Sequence, residues 1–479
     1  MNFFKKNYLI LILIFLNFLV LMYYLSRSTA NIIYGDQFYS IGLIVTKYFE
    51  KNFNIFLVLK NVWDFGGIHR GIGGVFFILI NTHFFSLNTQ FEIYLGAFVL
   101  FITSIILFYN YEKNLPIKNW ITKLFYILIS FIIMNLDQAE LLGNGNGLYL
   151  FCRMLFFVVI FINFENLIKK QSSKNLISFI IALFINTFLF SAGYTIPFLV
   201  TILIIFLFYS FINKSIKNKK FIISFLMPVF FCLFIYMNGI TSHIVGYNPE
   251  PQRKETVSLI YNITNNTSSF LRFGLLGLTS NIINVNLVTI AKTVDISDFT
   301  LLIVGLILLV AYVYSIILFI KNKIYKRTYM PLFFIIYAFL IYGSIAISRY
   351  SYNNLYPYYS MSSRYTLDTH YGLIGIIWIL IYSYCNRINL KKIKLKLLNY
   401  IIPAFILIFI MLGQVKTFYT EYIIGPYRKV YFDTIRKIAL KGDYSIKSEM
   451  DLFQNSANPK LVKDSLIFLR KHKLNVFAE

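Results

Sequence analysis

Long apolar runs recur along this chain from Tyr8 almost to Val415, and most of them end at clusters of lysine and asparagine. A run of about 18 or more apolar residues can cross the hydrocarbon core of a bilayer as an α-helix. A transmembrane barrel would instead alternate apolar and polar residues in segments of about ten. The pattern therefore predicts an all-α integral membrane protein, a polytopic bundle of about eleven transmembrane helices.

The predicted spans are residues 8–25, 91–111, 120–136, 148–164, 175–193, 195–212, 221–238, 300–320, 330–347, 369–385 and 400–415. The first run follows Lys5 and Lys6 and precedes a stretch of small residues, so a cleaved signal peptide is the alternative to a retained helix. The run is long enough to span, which favours retention.

The composition excludes a water-soluble globular domain, since 58% of the residues are apolar and only 14% are charged. The chain has 45 Lys and Arg against 20 Asp and Glu, a formal net charge of +25. The lysines stand in short clusters between apolar runs, where anionic lipid headgroups and membrane orientation explain them. A nucleic-acid partner is therefore not expected. The three cysteines lie in or beside apolar runs and predict neither disulfides nor a zinc site.

The Lys-rich clusters fall on alternate connections between the predicted spans. Positive residues stay on the cytoplasmic side, so these connections and the N-terminus are predicted to be cytoplasmic. The opposite, outer face then carries residues 26–90, 137–147, 241–299, 348–368 and the chain from 416 onward. The predicted domains are a polytopic membrane domain, 1–415, and a small extracytoplasmic module, 416–479.

The apolar run Ile72 to Leu87 does not fit this alternation, because a further span there would move the next Lys-rich connection to the outside. We therefore expect a helix that lies in the outer membrane interface, with the glycines before it allowing the chain to turn. An ordinary span with a shifted count is the alternative.

The first outer segment carries Asp36 soon after the first span, and later His69 and Arg70. A carboxylate at the membrane surface can accept a proton from an incoming hydroxyl, although an Asp before a helix is often an N-cap. His69 and Arg70 can bind a phosphate or orient that carboxylate, or can simply extend to the interface.

The second outer segment carries Asp137 and Glu140, three residues apart. On one helical turn they would share a face and could hold a divalent metal or a sugar hydroxyl. Solvated residues at a helix end are the alternative.

Two Ser-Arg-Tyr triplets, at Arg349 and at Arg364 with Tyr365, lie on the outer side, where the charge rule disfavours cations. A guanidinium group grips phosphate through two hydrogen bonds and keeps its charge, which suits a lipid phosphate. The alternative is a structural ion pair of the arginine with Asp36, Asp137 or Asp368.

This order of features resembles the GT-C superfamily of multi-pass membrane glycosyltransferases, and within it a poorly characterised bacterial group. The likeness rests on Asp36 after the first span, the Trp63, His69 and Arg70 turn, the interface helix, and the late Ser-Arg-Tyr at Arg364. Where that group has Asn-Glu before His-Arg, this chain has Gly67-Ile68.

The resemblance implies transfer of a sugar from a polyprenyl-phosphate donor to an envelope glycan or lipid acceptor, at the outer face of the bacterial cytoplasmic membrane. It assigns the base to Asp36 and the carrier phosphate to Arg364, assisted by His69 or Arg70. No cofactor is firmly implied beyond this donor substrate, and a divalent metal stays open.

A lipid-linked-glycan flippase or other transporter is the rival class, and a polysaccharide polymerase is a nearer enzymatic alternative. A transporter should place ionisable residues at mid-membrane. The predicted spans carry few, whereas the outer segments hold Asp36, His69, Asp137, Arg349 and Arg364. The distribution favours chemistry at the outer surface.

Overall fold

The computed structural model describes residues 2–65, 71–213, 219–238, 264–285, 296–349, 358–389, 398–454 and 458–478. Within these ranges the chain is helical and forms no β-strand. The helices of eight or more residues are α1 Asn2–Ser28, α2 Ile55–Phe65, α3 Gly73–Phe85, α4 Thr89–Asn114, α5 Tyr126–Ile133, α6 Gly147–Lys169, α7 Ser173–Leu189, α8 Thr195–Asn213, α9 Lys219–Met237, α10 Thr267–Thr279, α11 Asp298–Lys321, α12 Met330–Arg349, α13 Thr366–Asn389, α14 Leu398–Lys441 and α15 Pro459–Lys471.

Among the described residues, 8 helical segments are long and apolar enough to cross a membrane. They are Lys5–Ser28, Thr89–Asn114, Trp120–Leu142, Gly147–Lys169, Thr195–Ile212, Asp298–Lys321, Met330–Arg349 and Ile401–Lys441. The predicted spans 175–193 and 221–238 correspond to the shorter apolar helices α7 and α9, and 369–385 lies within α13. The structure thus confirms a helical protein of membrane type, while the number eleven stays a prediction.

The predicted interface helix is the 13-residue helix α3. At 1.5 Å per residue it is about 20 Å long, shorter than the roughly 30 Å hydrocarbon core. Its start packs closely against the end of α7: a Cβ atom on Gly71 or on Gly73 would lie 2.6 Å from the carbonyl oxygen of Leu189. The glycines thus permit a close approach of two helix ends, and the position of α3 in the membrane interface stays a prediction.

Side-chain contacts join the helix ends into two groups, one at each end of the bundle. At the first end, Lys123 lies 3.1 Å from Glu112, and Glu165 accepts hydrogen bonds from the hydroxyl of Thr328 at 2.6 Å and the backbone N–H of Met330 at 3.0 Å. These residues stand on or beside the Lys-rich connections. Two of the Lys-rich connections therefore meet at this end, and the assignment of either end to a side of the membrane stays a prediction.

Helix α14 is unusually long, with 44 residues, or about 66 Å at 1.5 Å per residue. That is about twice the hydrocarbon thickness, so a large part of the helix must extend beyond the bilayer. The predicted boundary between 415 and 416 falls inside it. The residues that follow pack on the segment between α1 and α2, and the two-domain division itself stays a prediction.

Candidate functional site

Asp36 lies on the surface at the end of the bundle opposite the Lys-rich connections. It precedes the short helix Gln37–Ser40, with φ −66° and ψ −12°, and its side chain makes no capping hydrogen bond. An N-cap residue normally has extended backbone angles and a side chain that accepts from the first turn. Asp36 therefore occupies the N-cap position without capping through its side chain, and the residue is exposed.

Arg364 and Glu140 form an ion pair at this same end. Nη2 of Arg364 lies 2.8 Å from Oε1 of Glu140, with 45% and 40% of the two side chains exposed. The hydroxyl groups of Ser362 and Ser363 lie 3.3 and 3.5 Å from the other carboxylate oxygen. The arginine thus pairs with Glu140, not with any of the three aspartates considered from sequence.

Asp36 belongs to the electrostatic surroundings of this pair. Burial lowers the pKa of the Arg364 guanidinium, but the charge of Glu140, with smaller contributions from Tyr359 and Asp36 among others, raises the pKa above its ordinary value. The carboxylate of Asp36 therefore lies near enough for its charge to act on Arg364, more than 300 residues away in sequence.

Tyr34 connects the first loop to the second. Burial raises the pKa of its phenol, and the charge of Glu140 raises it further, whereas a hydrogen bond with Asn144 and the charge of Arg428 lower it. The phenol therefore stays protonated and can donate a hydrogen bond beside the ion pair. Sequence reasoning missed both Tyr34 and Arg428, because tyrosine is common in this chain and Arg428 follows the last predicted span.

Tyr365 follows Arg364 in the short 3-10 helix Ser363–Tyr365. Burial raises the pKa of the Tyr365 phenol, as does Tyr359, while the charges of Arg364 and Arg349 oppose that increase. Arg349 is the last residue of α12. The charges of both Ser-Arg-Tyr arginines therefore reach the same tyrosine.

Asp137 does not belong to this ion pair, contrary to the prediction that it shares a face with Glu140. Asp137 lies in the 3-10 turn Leu136–Gln138 and is fully buried, with Oδ2 3.3 Å from Nε2 of His370. Glu140 lies in the next helical turn and pairs with Arg364 instead.

Among the described residues no three His, Cys, Asp or Glu side chains are grouped to hold a metal ion. His69 and Arg70 lie outside the described residues.

Inside the bundle lies another ion pair, this one buried, that sequence reasoning missed. Nη2 of Arg153 lies 2.7 and 2.6 Å from the two oxygens of Asp368, and Tyr337 donates a hydrogen bond of 2.6 Å to the same carboxylate. The expectation of spans with few ionisable side chains overlooked this pair. Arg153 interrupts an apolar run, and a buried arginine requires an anionic partner, so the sequence did carry a signal.

Comparisons with protein-family models, with curated proteins and with solved structures find no match for this chain.

Proposed function

We propose that this protein is a multi-pass membrane glycosyltransferase of GT-C type, which transfers a sugar from a polyprenyl-phosphate donor to an envelope glycan or lipid acceptor. The observation that carries the proposal is the half-exposed ion pair of Arg364 and Glu140 at one end of an apolar helical bundle, with exposed Asp36 in its electrostatic surroundings. A water-exposed carboxylate and an arginine at a membrane surface fit a reaction between a polar acceptor and a lipid phosphate.

In the proposed reaction, Asp36 accepts the proton of the acceptor hydroxyl while the hydroxyl oxygen attacks the anomeric carbon. The bond from that carbon to the phosphate oxygen breaks, and both bonding electrons leave with the polyprenyl phosphate. A single displacement of this kind inverts the anomeric configuration. Arg364 stabilises the departing phosphate through charge-assisted hydrogen bonds.

Glu140 gives Arg364 a defined orientation before the donor arrives. A guanidinium group has five N–H donors, and Glu140 and Ser362 engage only some of them. The remaining donors on this half-exposed side chain are available to a phosphate. Arg349, Tyr365, His69 and Arg70 are proposed to contact the donor around it.

The proposed orientation places the N-terminus in the cytoplasm and this ion pair, with Asp36, on the outer face of the bacterial cytoplasmic membrane. The partners would be membrane lipids, the lipid-linked donor and the glycan or lipid acceptor. Buried Asp137 is not proposed to touch the substrate.

The buried pair of Arg153 and Asp368 favours a second candidate, a transporter or flippase of lipid-linked glycans. Paired ionisable groups inside a helical bundle are typical of substrate and ion pathways. The two candidates differ in product: a glycosyltransferase releases free polyprenyl phosphate, whereas a flippase moves the donor across the bilayer unchanged. A polymerase would instead extend a lipid-linked glycan.

The first test replaces the proposed base. Asp36→Asn keeps the size of the side chain but removes the proton acceptor, so turnover of polyprenyl-phosphate sugars by purified protein should fall by about a hundredfold. Glu50→Gln is the matched control, since Glu50 lies in the same predicted outer segment and pairs with nearby Lys47 at 2.7 Å. Near-normal turnover in a correctly inserted Asp36→Asn protein would remove Asp36 from the reaction.

A further inference from the structure

The segment that carries Asp36 shares a hydrophobic core with the last part of the chain. Buried side chains of the first segment, among them Ile33, Phe38 and Val45, pack with buried side chains of the tail, among them Phe432, Phe453 and Leu466. This core is separate from the large core of the helical bundle. The loop with the proposed base therefore does not rest on the membrane helices alone.

Backbone contacts reach the residue immediately before Asp36. The N–H of Gly35 donates a hydrogen bond of 2.7 Å to the carbonyl oxygen of Phe453, and Gly35 has φ +58°, in the left-handed region. The rings on either side also meet the tail: Tyr34 lies 4.9 Å from Phe432, and Phe38 lies 5.9 Å from Phe453, centroid to centroid. The turn that presents Asp36 is thus held on both sides.

A second attachment lies near the end of the chain. The side-chain amide of Asn475 donates to Oδ1 of Asn31 at 2.7 Å and to the carbonyl oxygen of Leu87 at 2.9 Å. Its backbone N–H donates to the carbonyl oxygen of Ser86 at 2.7 Å. Asn475 therefore ties together the beginning and the end of the long connection between α1 and α4.

We infer that the C-terminal tail, residues 432–454 and 458–478, positions Asp36 for proton transfer. This inference rests on the proposed function. Arg364 and Glu140 are held by contacts with each other and with Ser362 and Ser363, none of which belongs to the shared core. Loosening the tail should therefore lower kcat and leave donor affinity nearly unchanged, because the turn with the base rests directly on the tail and the donor-binding pair keeps its own contacts.

The experiment uses the full-length chain in liposomes with Phe453→Ala, which removes the buried ring behind the Asp36 turn. The control is Phe468→Ala, since Phe468 packs on the edge of the same core, where its ring lies 5.7 Å from that of Phe49. Phe453→Ala should lower kcat at least tenfold with the donor Kd within twofold, and Phe468→Ala should change kcat much less. Equal effects of the two variants, or an unchanged kcat in Phe453→Ala, would overturn the inference.

A nitroxide label attached through Asp36→Cys gives a readout that needs no activity. The three native cysteines are buried and should take up little label. Unsubstituted protein measures how much label they do take up. The label should gain mobility when Phe453→Ala is added and not when Phe468→Ala is added. If unsubstituted protein turns over no polyprenyl-phosphate sugar, the proposed function fails. The label still decides whether the tail holds residue 36, because unchanged label mobility in Phe453→Ala would overturn that part of the inference.

Gly35 provides a variant that leaves the tail core intact. A Cβ atom there would meet nothing within 4 Å, so Gly35→Ala adds only the strain of a left-handed backbone. Asn tolerates this conformation better than other side chains. Gly35→Ala should lower kcat severalfold and Gly35→Asn should restore most of it. Equal activity of both variants would show that the backbone of this turn does not position Asp36.

Discussion

Arg364 and Glu140 illustrate why a half-exposed ion pair at a membrane surface suggests function more than stability. Such a pair contributes about 0–1 kcal/mol to folding, because water screens the charges and two flexible side chains lose conformational freedom. The donors of Arg364 that Glu140 leaves free are nevertheless well oriented, since the serines on its own turn bind the carboxylate as well. The orientation of these donors therefore supports the proposed binding of a phosphate by Arg364.

Arg364→Lys tests this interpretation directly. Lysine keeps the positive charge but loses the planar fork, so donor affinity and turnover should drop by about tenfold or more. The melting temperature in detergent should hardly change, because the pair is half-exposed. Arg272→Lys is the matched control, since Arg272 lies 2.7 Å from Asp298 in another partly exposed pair. A loss of stability with unchanged donor binding would make Arg364 a structural residue.

Sequence reasoning found Asp36, Glu140 and Arg364 because each is a charged residue on the predicted outer side. It could not find the pairing of Glu140 with Arg364, which are far apart in the chain. It also misplaced Asp137, because the backbone changes from a 3-10 turn at Leu136–Gln138 to an α-helical turn at Ala139–Leu142. Spacing predicts a shared face only where one helix type continues.

At the scale of single elements, α13 is the helix most completely surrounded by protein. Nearly all its described side chains are buried, and its first turn contacts several elements: Asp368 binds Arg153, Thr369 donates to Asn281 at 2.9 Å, and His370 lies beside Asp137. Each contact reaches a different segment. The first turn of α13 therefore fixes the helices that surround the proposed site.

The close packing of α13 on α12 depends on Gly375. A Cβ atom there would lie 2.6 Å from the carbonyl oxygen of Pro331 and 2.9 Å from Cγ1 of Ile335, so Gly375→Ala must separate the helices and should cost about 1–3 kcal/mol. Gly343→Ala in α12 is the control: its Cβ would meet nothing within 4 Å, and alanine favours a helix interior by about 0.5–1 kcal/mol.

Thermal unfolding in detergent should therefore lower the melting temperature of Gly375→Ala and leave that of Gly343→Ala unchanged or higher. The same decrease in both variants would mean that these glycines serve some purpose other than close packing of α12 and α13.

Helix boundaries were predicted well where an apolar run is followed by a turn, and badly in α14. Apolar runs mark where a helix is in contact with lipid, but backbone hydrogen bonding continues beyond them. In α14 polar residues such as Lys416, Glu421 and Arg428 end the apolar signal while the helix continues to Lys441. The sequence thus indicated the end of the apolar segment and not the end of the helix.

At the scale of the whole molecule, charge predicts a side of the membrane for each connection, whereas contacts show which connections meet. Glu165 binds Thr328 and Met330 across two Lys-rich connections, and the first predicted outer segment packs on the tail. Hydropathy and charge can predict a side for each loop because each loop is assigned by its own residues. They could not predict that the first outer segment and the tail share a core, since that depends on contacts between distant segments.

The last prediction assigns the two ends to compartments with single exposed cysteines. A membrane-impermeant maleimide should label Lys51→Cys and Lys441→Cys in intact cells, and Lys321→Cys only after permeabilisation, because the Lys-rich end should be cytoplasmic. Unsubstituted protein controls for the buried native cysteines. Opposite labelling of Lys51→Cys and Lys441→Cys would contradict the shared core of loop and tail. Labelling of Lys321→Cys alone in intact cells would place Asp36 and Arg364 in the cytoplasm, where an externally presented polyprenyl-phosphate sugar cannot reach them.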